Sequence, residues 1–196
     1  MVISAAVLAT LLSQCAPEVS PVTAIALIQT ESGGNPYVVA NVSDGVSKYF
    51  EDKDKAVSYV NMLHRQGKTY SAGLMQIYSK NFPAYDVDNG SVFDPCTNIK
   101  VGAKILTENY VSQKEGDVQT NLRKSLSLYY SGNETTGFKK EKKYSNTSYV
   151  ERVEKKAYKV PALQPSGESQ NDDAGVETQL EKTKSQTWDV FGDFNS

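Results

Sequence analysis

Ser20-Pro21-Val22-Thr23-Ala24-Ile25-Ala26-Leu27-Ile28-Gln29-Thr30-Glu31-Ser32-Gly33-Gly34 reads as a helix with both ends marked. Ser20 suits the N-cap and Pro21 the first helical position. Val22, Ala24, Ile25, Ala26, Leu27 and Ile28 leave little polar surface, which predicts burial on most sides. Gly33-Gly34 stops the helix. Glu31 stands at its C-terminal end, with only Thr23, Gln29 and Thr30 as polar company. A carboxylate there meets the negative end of the helix dipole and apolar neighbours, and both raise its pKa. A carboxyl group that holds a proton near neutral pH can donate it to a substrate. A solvated carboxylate at a frayed helix end is the plainer alternative for a lone Glu.

Outward from this helix the periodicity stays helical. Ala56, Val57, Val60 and Leu63 form a stripe over 52–66, closed by Gly67. Ile99, Val101, Ala103, Ile105, Leu106, Tyr110 and Val111 do so over 96–112. Leu122, Leu126 and Tyr129 mark 118–131, and Tyr149, Val150, Val153 and Ala157 mark a basic last helix over 147–158. Gly73 to Tyr78 is a short apolar element of open type. There is no run of alternating strands and no internal repeat, so the fold class is all-α or predominantly α.

Charge divides the chain. Residues 1–160 carry 19 basic and 16 acidic residues; residues 161–196 carry 2 basic and 7 acidic, a net of −5. The near-neutral total of −2 over 196 residues excludes a general nucleic-acid binder, whose footprint would be basic. From Pro161 onward no apolar period is present, so the segment lacks the surface to offset its ordering entropy. The expected organisation is one domain over 1–160 and an acidic disordered tail over 161–196. The tail ends on Trp188, Phe191 and Phe194, which read either as a sticky terminus or as a docking motif for a protein partner. At the other end, Met1 to Leu12 is apolar but has no positively charged start. Val2, Ile3, Ala6, Val7, Ala9, Leu11 and Leu12 suit a buried first helix ended by Cys15-Ala16-Pro17; a processed leader is the alternative, and no export signal is evident. No stretch approaches the roughly 20 apolar residues of a membrane span.

Two further clusters could carry chemistry. Gly73-Leu74-Met75-Gln76-Ile77 joins a glycine that permits close backbone approach to an amide that both donates and accepts. Leu128-Tyr129-Tyr130-Ser131-Gly132 offers paired rings and hydroxyls to a carbohydrate. Taken singly, the first is explained by a tight turn and the second by core aromatics.

In series the three clusters are more specific. Glu31-Ser32, then Gly73-Leu74-Met75-Gln76-Ile77, then a Tyr followed three positions later by Gly, resembles the lysozyme-like lytic transglycosylases, relatives of the goose-type lysozymes. Asn35-Pro36, Phe93-Asp94-Pro95, Asn98-Ile99 and Tyr149-Val150 with Val153 fall in the same order, so the resemblance covers about 17–155. The contexts of Cys15 and Cys96, and residues 52–70, look most like the lytic transglycosylases of type IV secretion and conjugation systems. The resemblance implies a lysozyme-like single domain with Glu31 as catalytic acid/base. Ser32 would help hold the loop. Ser71, Gly73, Met75 and Gln76 would form the glycan groove. Tyr129 would orient Glu31 or the sugar, with Tyr130 and Tyr149 nearby. Tyr130 is a departure, because the family's motif carries Asn there.

The implied reaction cleaves the β-1,4 bond between N-acetylmuramic acid and N-acetylglucosamine and leaves a 1,6-anhydro end. A paired-carboxylate glycosidase needs a second acid, and Asp44, Asp86, Asp88 and Asp94 all read as loop or turn residues. A hydrolytic lysozyme using the same Glu, and a non-enzymatic glycan-binding scaffold, are the competing functions. The resemblance also implies a Cys15–Cys96 disulfide, which fits the periplasm or cell envelope. The implied partners are peptidoglycan glycan strands and, through the tail, secretion-system components. No metal and no cofactor is implied.

Overall fold

The computed structural model describes residues 2–157. The expected tail over 161–196, with Trp188, Phe191 and Phe194, lies outside the described residues. Within them the chain is predominantly helical, as the periodicity predicts. The α-helices are α1 (Ala5–Cys15), α2 (Pro21–Glu31), α3 (Lys53–Arg65), α4 (Pro95–Val111), α5 (Val118–Ser131) and α6 (Tyr149–Ala157). Aspartates begin three of them. Asp52, Asp94 and Asp117 accept the backbone N–H of Lys55, Thr97 and Thr120, at 2.9, 2.8 and 2.7 Å. Ser20 occupies the N-cap position of α2, but its hydroxyl makes no capping bond, so Pro21 is the effective start signal there.

α2 lies at the centre of the core. Ala24, Ala26, Leu27 and Ile28 are wholly buried, with α6 and α1 packed against the helix. α4 packs on α1 and α5. α1 itself departs from the buried helix expected from its composition. Leu8, Leu12 and Cys15 face the core at i, i+4 and i+7, whereas Val7 is 51% exposed, and Val2, expected within the helix, precedes its Ser4 N-cap and is 66% exposed. Its apolar content exceeds its buried face, so composition alone overstated the burial.

A small antiparallel sheet is the main feature that periodicity missed. It comprises β1 (Val38–Asn41), β2 (Val46–Tyr49), β3 (Tyr70–Ala72) and β4 (Ile77–Tyr78), in the order β2-β1-β3-β4. The strands run for two to four residues, and β2 is exposed along its whole length, so no alternating pattern could develop. In register, Val39 sits between Lys48 and Ala72, and Ser71 sits between Ala40 and Tyr78. The element of open type at 73–78 is a turn leading from β3 into β4. A 3-10 segment, Ser79–Tyr85, follows.

Cys15 and Cys96 are joined, tying the end of α1 to the start of α4 across 81 positions. Closing a loop of that length removes about 4 kcal/mol of chain entropy from the unfolded state. Among the described residues, no helix is long and apolar enough to cross a membrane.

Candidate active site

The end of α2, the β3–β4 turn, the Ser79–Tyr85 segment and the inner faces of α4 and α5 enclose an open groove of about 720 Å³. That is the size of a small-ligand or saccharide cleft. Glu31, Ser71, Gln76, Tyr129 and Tyr130 line it, together with Asn81, Tyr85, Ile105 and Asn109. Glu31 is the one carboxylate among the described lining residues.

Two anchors, Asn98 and Tyr129, shape the turn at 73–76. Gly73 adopts φ +86°, and a Cβ there would fall 2.0 Å from Asn98 Nδ2 and 2.8 Å from the Val92 carbonyl oxygen. Only glycine fits this backbone and this space. Asn98, buried on α4, accepts the Met75 N–H at 2.7 Å and donates to the carbonyls of Ala72 and Val92 at 3.0 and 2.8 Å. From α5, the Tyr129 hydroxyl donates to the Met75 carbonyl at 2.7 Å. Gln76 sits at φ +50° beyond these anchors, and its Nε2 donates to the carbonyls of Val38 and Gly73 at 3.0 and 2.9 Å. The amide nitrogen is thereby committed to the fold, on the wall of the groove.

Glu31 is set by its surroundings. It opens on the groove, yet protein packs closely around its carboxyl group. Burial pushes its pKa from the ordinary 4.5 to about 7. A hydrogen bond from Tyr149 and the positive charge of Arg152, both on α6, act in the opposite sense without cancelling the burial. The Tyr149 hydroxyl donates to Glu31 Oε1. Burial and the adjacent Glu31 carboxyl push Tyr149 well above the ordinary tyrosine range, so it remains a donor. Tyr129 is raised in the same way, burial first.

The nine glycan-site candidates from sequence therefore divide. Glu31, Ser71, Gln76, Tyr129 and Tyr130 line the groove. Tyr149 is buried and reaches the site through Glu31; it, and not Tyr129, holds the carboxyl. Gly73, Met75 and Ser32 lie beneath the surface. Met75 has no exposed area, and its side chain packs against Gly102, where a Cβ would meet its sulfur at 2.5 Å. Met75 contributes its backbone to the turn, and only its backbone. Ser32 Oγ accepts the Gly34 N–H and donates to the Ile28 carbonyl, both at 3.2 Å, so it closes the end of α2. Arg152, Glu141 and the Asn98 clamp were not assigned roles from sequence. Arg152 carried a signal, since it lies three positions after Tyr149 on one helix face. Asn81 and Tyr85 carried none, because the 3-10 segment has no reliable pattern.

Known proteins give this geometry a lineage. The family model described as "Transglycosylase SLT domain" matches residues 11–151. "Type IV secretion system protein virB1" of Brucella abortus biovar 1 (strain 9-941) is 38% identical over 146 residues, covering 73% of this chain and 60% of that protein. "Protein virB1" of Agrobacterium fabrum is 30% identical over 181 residues, covering 91% and 68%. "Protein virB1" of Rhizobium radiobacter is 30% identical over 186 residues, covering 92% and 70%. The chain spans 60% of the length of the Brucella relatives it matches. No solved structure matches. The chain belongs to the transglycosylase SLT domain family.

Proposed function

We propose that the chain is a peptidoglycan lytic transglycosylase in which Glu31 serves as both acid and base. One observation carries the reading: the groove's single described carboxylate is buried enough to hold a proton near pH 7 and is bonded to Tyr149. Protonated Glu31 gives its proton to the glycosidic oxygen between N-acetylmuramic acid and N-acetylglucosamine. The C1–O bond breaks, and the sugar's own acetamido group stabilises the cationic C1. The Glu31 carboxylate then accepts the proton of the muramoyl 6-hydroxyl as that oxygen bonds to C1. The result is a 1,6-anhydro end with Glu31 reprotonated and no water consumed. Because the nucleophile belongs to the substrate, a second protein carboxylate is unnecessary. Holding the 6-hydroxyl beside C1 favours it over solvent.

The relatives' names extend the proposal to biology. The enzyme opens the cell wall locally for a type IV secretion or conjugation apparatus, and acts in the periplasm or envelope, where the Cys15–Cys96 bond is stable. The acidic segment 161–196 is proposed to contact the apparatus. Digestion of purified peptidoglycan by wild type and Glu31→Gln tests the reading. Release of anhydromuropeptides by wild type alone is expected; release by the variant would refute the role of Glu31.

A further inference from the structure

Tyr130, the departure from the family's motif, is built into a network that reaches the candidate acid through Tyr149. Its ring stacks on Tyr149, with centroids 4.4 Å apart and planes 14° from parallel. Its hydroxyl donates to Glu141 Oε1 at 3.1 Å. The other oxygen of Glu141 accepts from Arg152 Nη1 at 2.9 Å. The Arg152 guanidinium lies 5.5 Å from the Tyr149 ring centre and 3.8 Å from that of Tyr144. Glu141 therefore grips two groups that both abut Tyr149, and Tyr149 holds Glu31.

Glu141 is itself fixed. Its backbone N–H donates to the Thr147 carbonyl at 3.1 Å, and its carbonyl accepts the N–H of Tyr144 and Asn146 at 3.0 and 3.1 Å. Ser145 and Asn146 turn the chain back with φ of +54° and +57°. Lys143 approaches the carboxylate at 3.4 Å. The lysine-rich stretch at 139–143 thus presents a carboxylate to Tyr130 and Arg152.

We propose that Glu141 is a positioning residue for the Glu31–Tyr149 pair, acting through the Tyr130 ring and the Arg152 guanidinium. Two effects follow from the geometry. Glu141 holds the Tyr130 ring against Tyr149, and so holds the hydroxyl that Glu31 accepts. It also neutralises Arg152, whose positive charge acts on Glu31. The groups acting on Glu31 are Tyr149 and Arg152 from α6 and Tyr129 from α5; Ser71 and Gln76 on the sheet side carry no charge. Burial pushes the Glu141 carboxyl up, but its bonds to Arg152 and Tyr130 outweigh this, so it is ionised when Glu31 titrates.

The test rests on the transglycosylase reading only in its activity arm. In the full chain, the Glu31 carboxyl is followed by carbon-13 NMR in wild type, Glu141→Gln, Arg152→Gln and the double variant. Glu141→Gln is expected to lower the Glu31 midpoint by about half a pH unit or more, because Arg152 then acts unopposed. Arg152→Gln is expected to raise it, and the double variant to return it toward wild type. Shifts of one sign in both single variants, or none, overturn the proposal. Tyr130→Phe cuts one link without touching a charge. On a soluble muropeptide oligomer it is expected to lower kcat severalfold with KM kept; a wild-type kcat, or a change in KM alone, overturns the positioning role. If no glycan is cleaved but the midpoints move as stated, the transglycosylase reading fails and the network stands. If glycan is cleaved and the midpoints stay, the network alone fails.

Discussion

The Tyr149 hydroxyl donates to Glu31 Oε1 across 118 positions of sequence, joining α6 to the end of α2. The bond favours the carboxylate, whereas burial favours the neutral acid, and burial is the larger effect. The site is therefore a balance, and each side of it can be removed separately.

Removing the hydroxyl tips the balance further toward the acid. Tyr149→Phe is expected to move the alkaline limb of the cleavage profile above its wild-type position near pH 7. The carboxyl also loses its anchor, so the rate at the optimum should fall about tenfold to a hundredfold. Initial rates measured between pH 4 and 9 on soluble glycan give both numbers. A limb that moves to lower pH would contradict the assignment of the bond.

Glu31 should be a burden on stability when ionised. Its folded pKa of about 7 exceeds the ordinary 4.5, so the folded state binds more protons between those values. Unfolding free energy then falls as pH rises through that window, by up to about 3 kcal/mol. Below 4.5 the group contributes no penalty. Glu31→Gln keeps an acceptor for Tyr149 and removes the titration. Urea unfolding at pH 4 and pH 8 should show the variant gaining on wild type only at the higher pH. Equal gaps at both pH values would mean that the carboxyl is not buried as described.

Asn98 should matter without touching the groove. It is buried and makes three hydrogen bonds that hold the turn at 73–76. Asn98→Ala removes the partner of the Met75 N–H and one donor each from the Ala72 and Val92 carbonyls, at a cost of about 1–3 kcal/mol. The melting temperature should fall, and glycan affinity should fall with it because Gln76 is carried on this turn. Unchanged stability would show that the turn is held by other means.

The Cys15–Cys96 bond is the remaining stability element. Replacing both cysteines by Ser should lower the unfolding free energy by about 2–5 kcal/mol, with reduction of wild type giving a comparable loss. Denaturant midpoints with and without reductant read this directly. Insensitivity to reductant in the folded protein at equilibrium would argue against the bond.

Much of this architecture is legible in the sequence. Gly and Pro punctuation at Ser20-Pro21 and Gly33-Gly34 marked α2, and apolar spacing marked α3 to α6. The helix end at Glu31 signalled a raised pKa, although burial, and not the helix dipole, leads the causes in the structure. The sheet was invisible because its strands are too short to alternate. Met75 and Gly73 were placed in the groove by their motif, yet the motif preserves a backbone shape and not a lining. Tyr149 was placed near the site, but its bond to Glu31 depends on how α6 packs against α2, which no local pattern encodes. The Glu141–Arg152 pair was missed for the same reason, since its two halves lie on a loop and a helix that meet only through tertiary packing.

End-group analysis of the cleavage products in water enriched in oxygen-18 tests the central claim most directly. If Glu31 passes the proton of the muramoyl 6-hydroxyl and no water enters, the new ends are 1,6-anhydro sugars, one water lighter than reducing ends and free of label. Glu31→Gln should yield neither. Labelled reducing ends from the wild type would contradict the account and make the same groove a hydrolytic lysozyme.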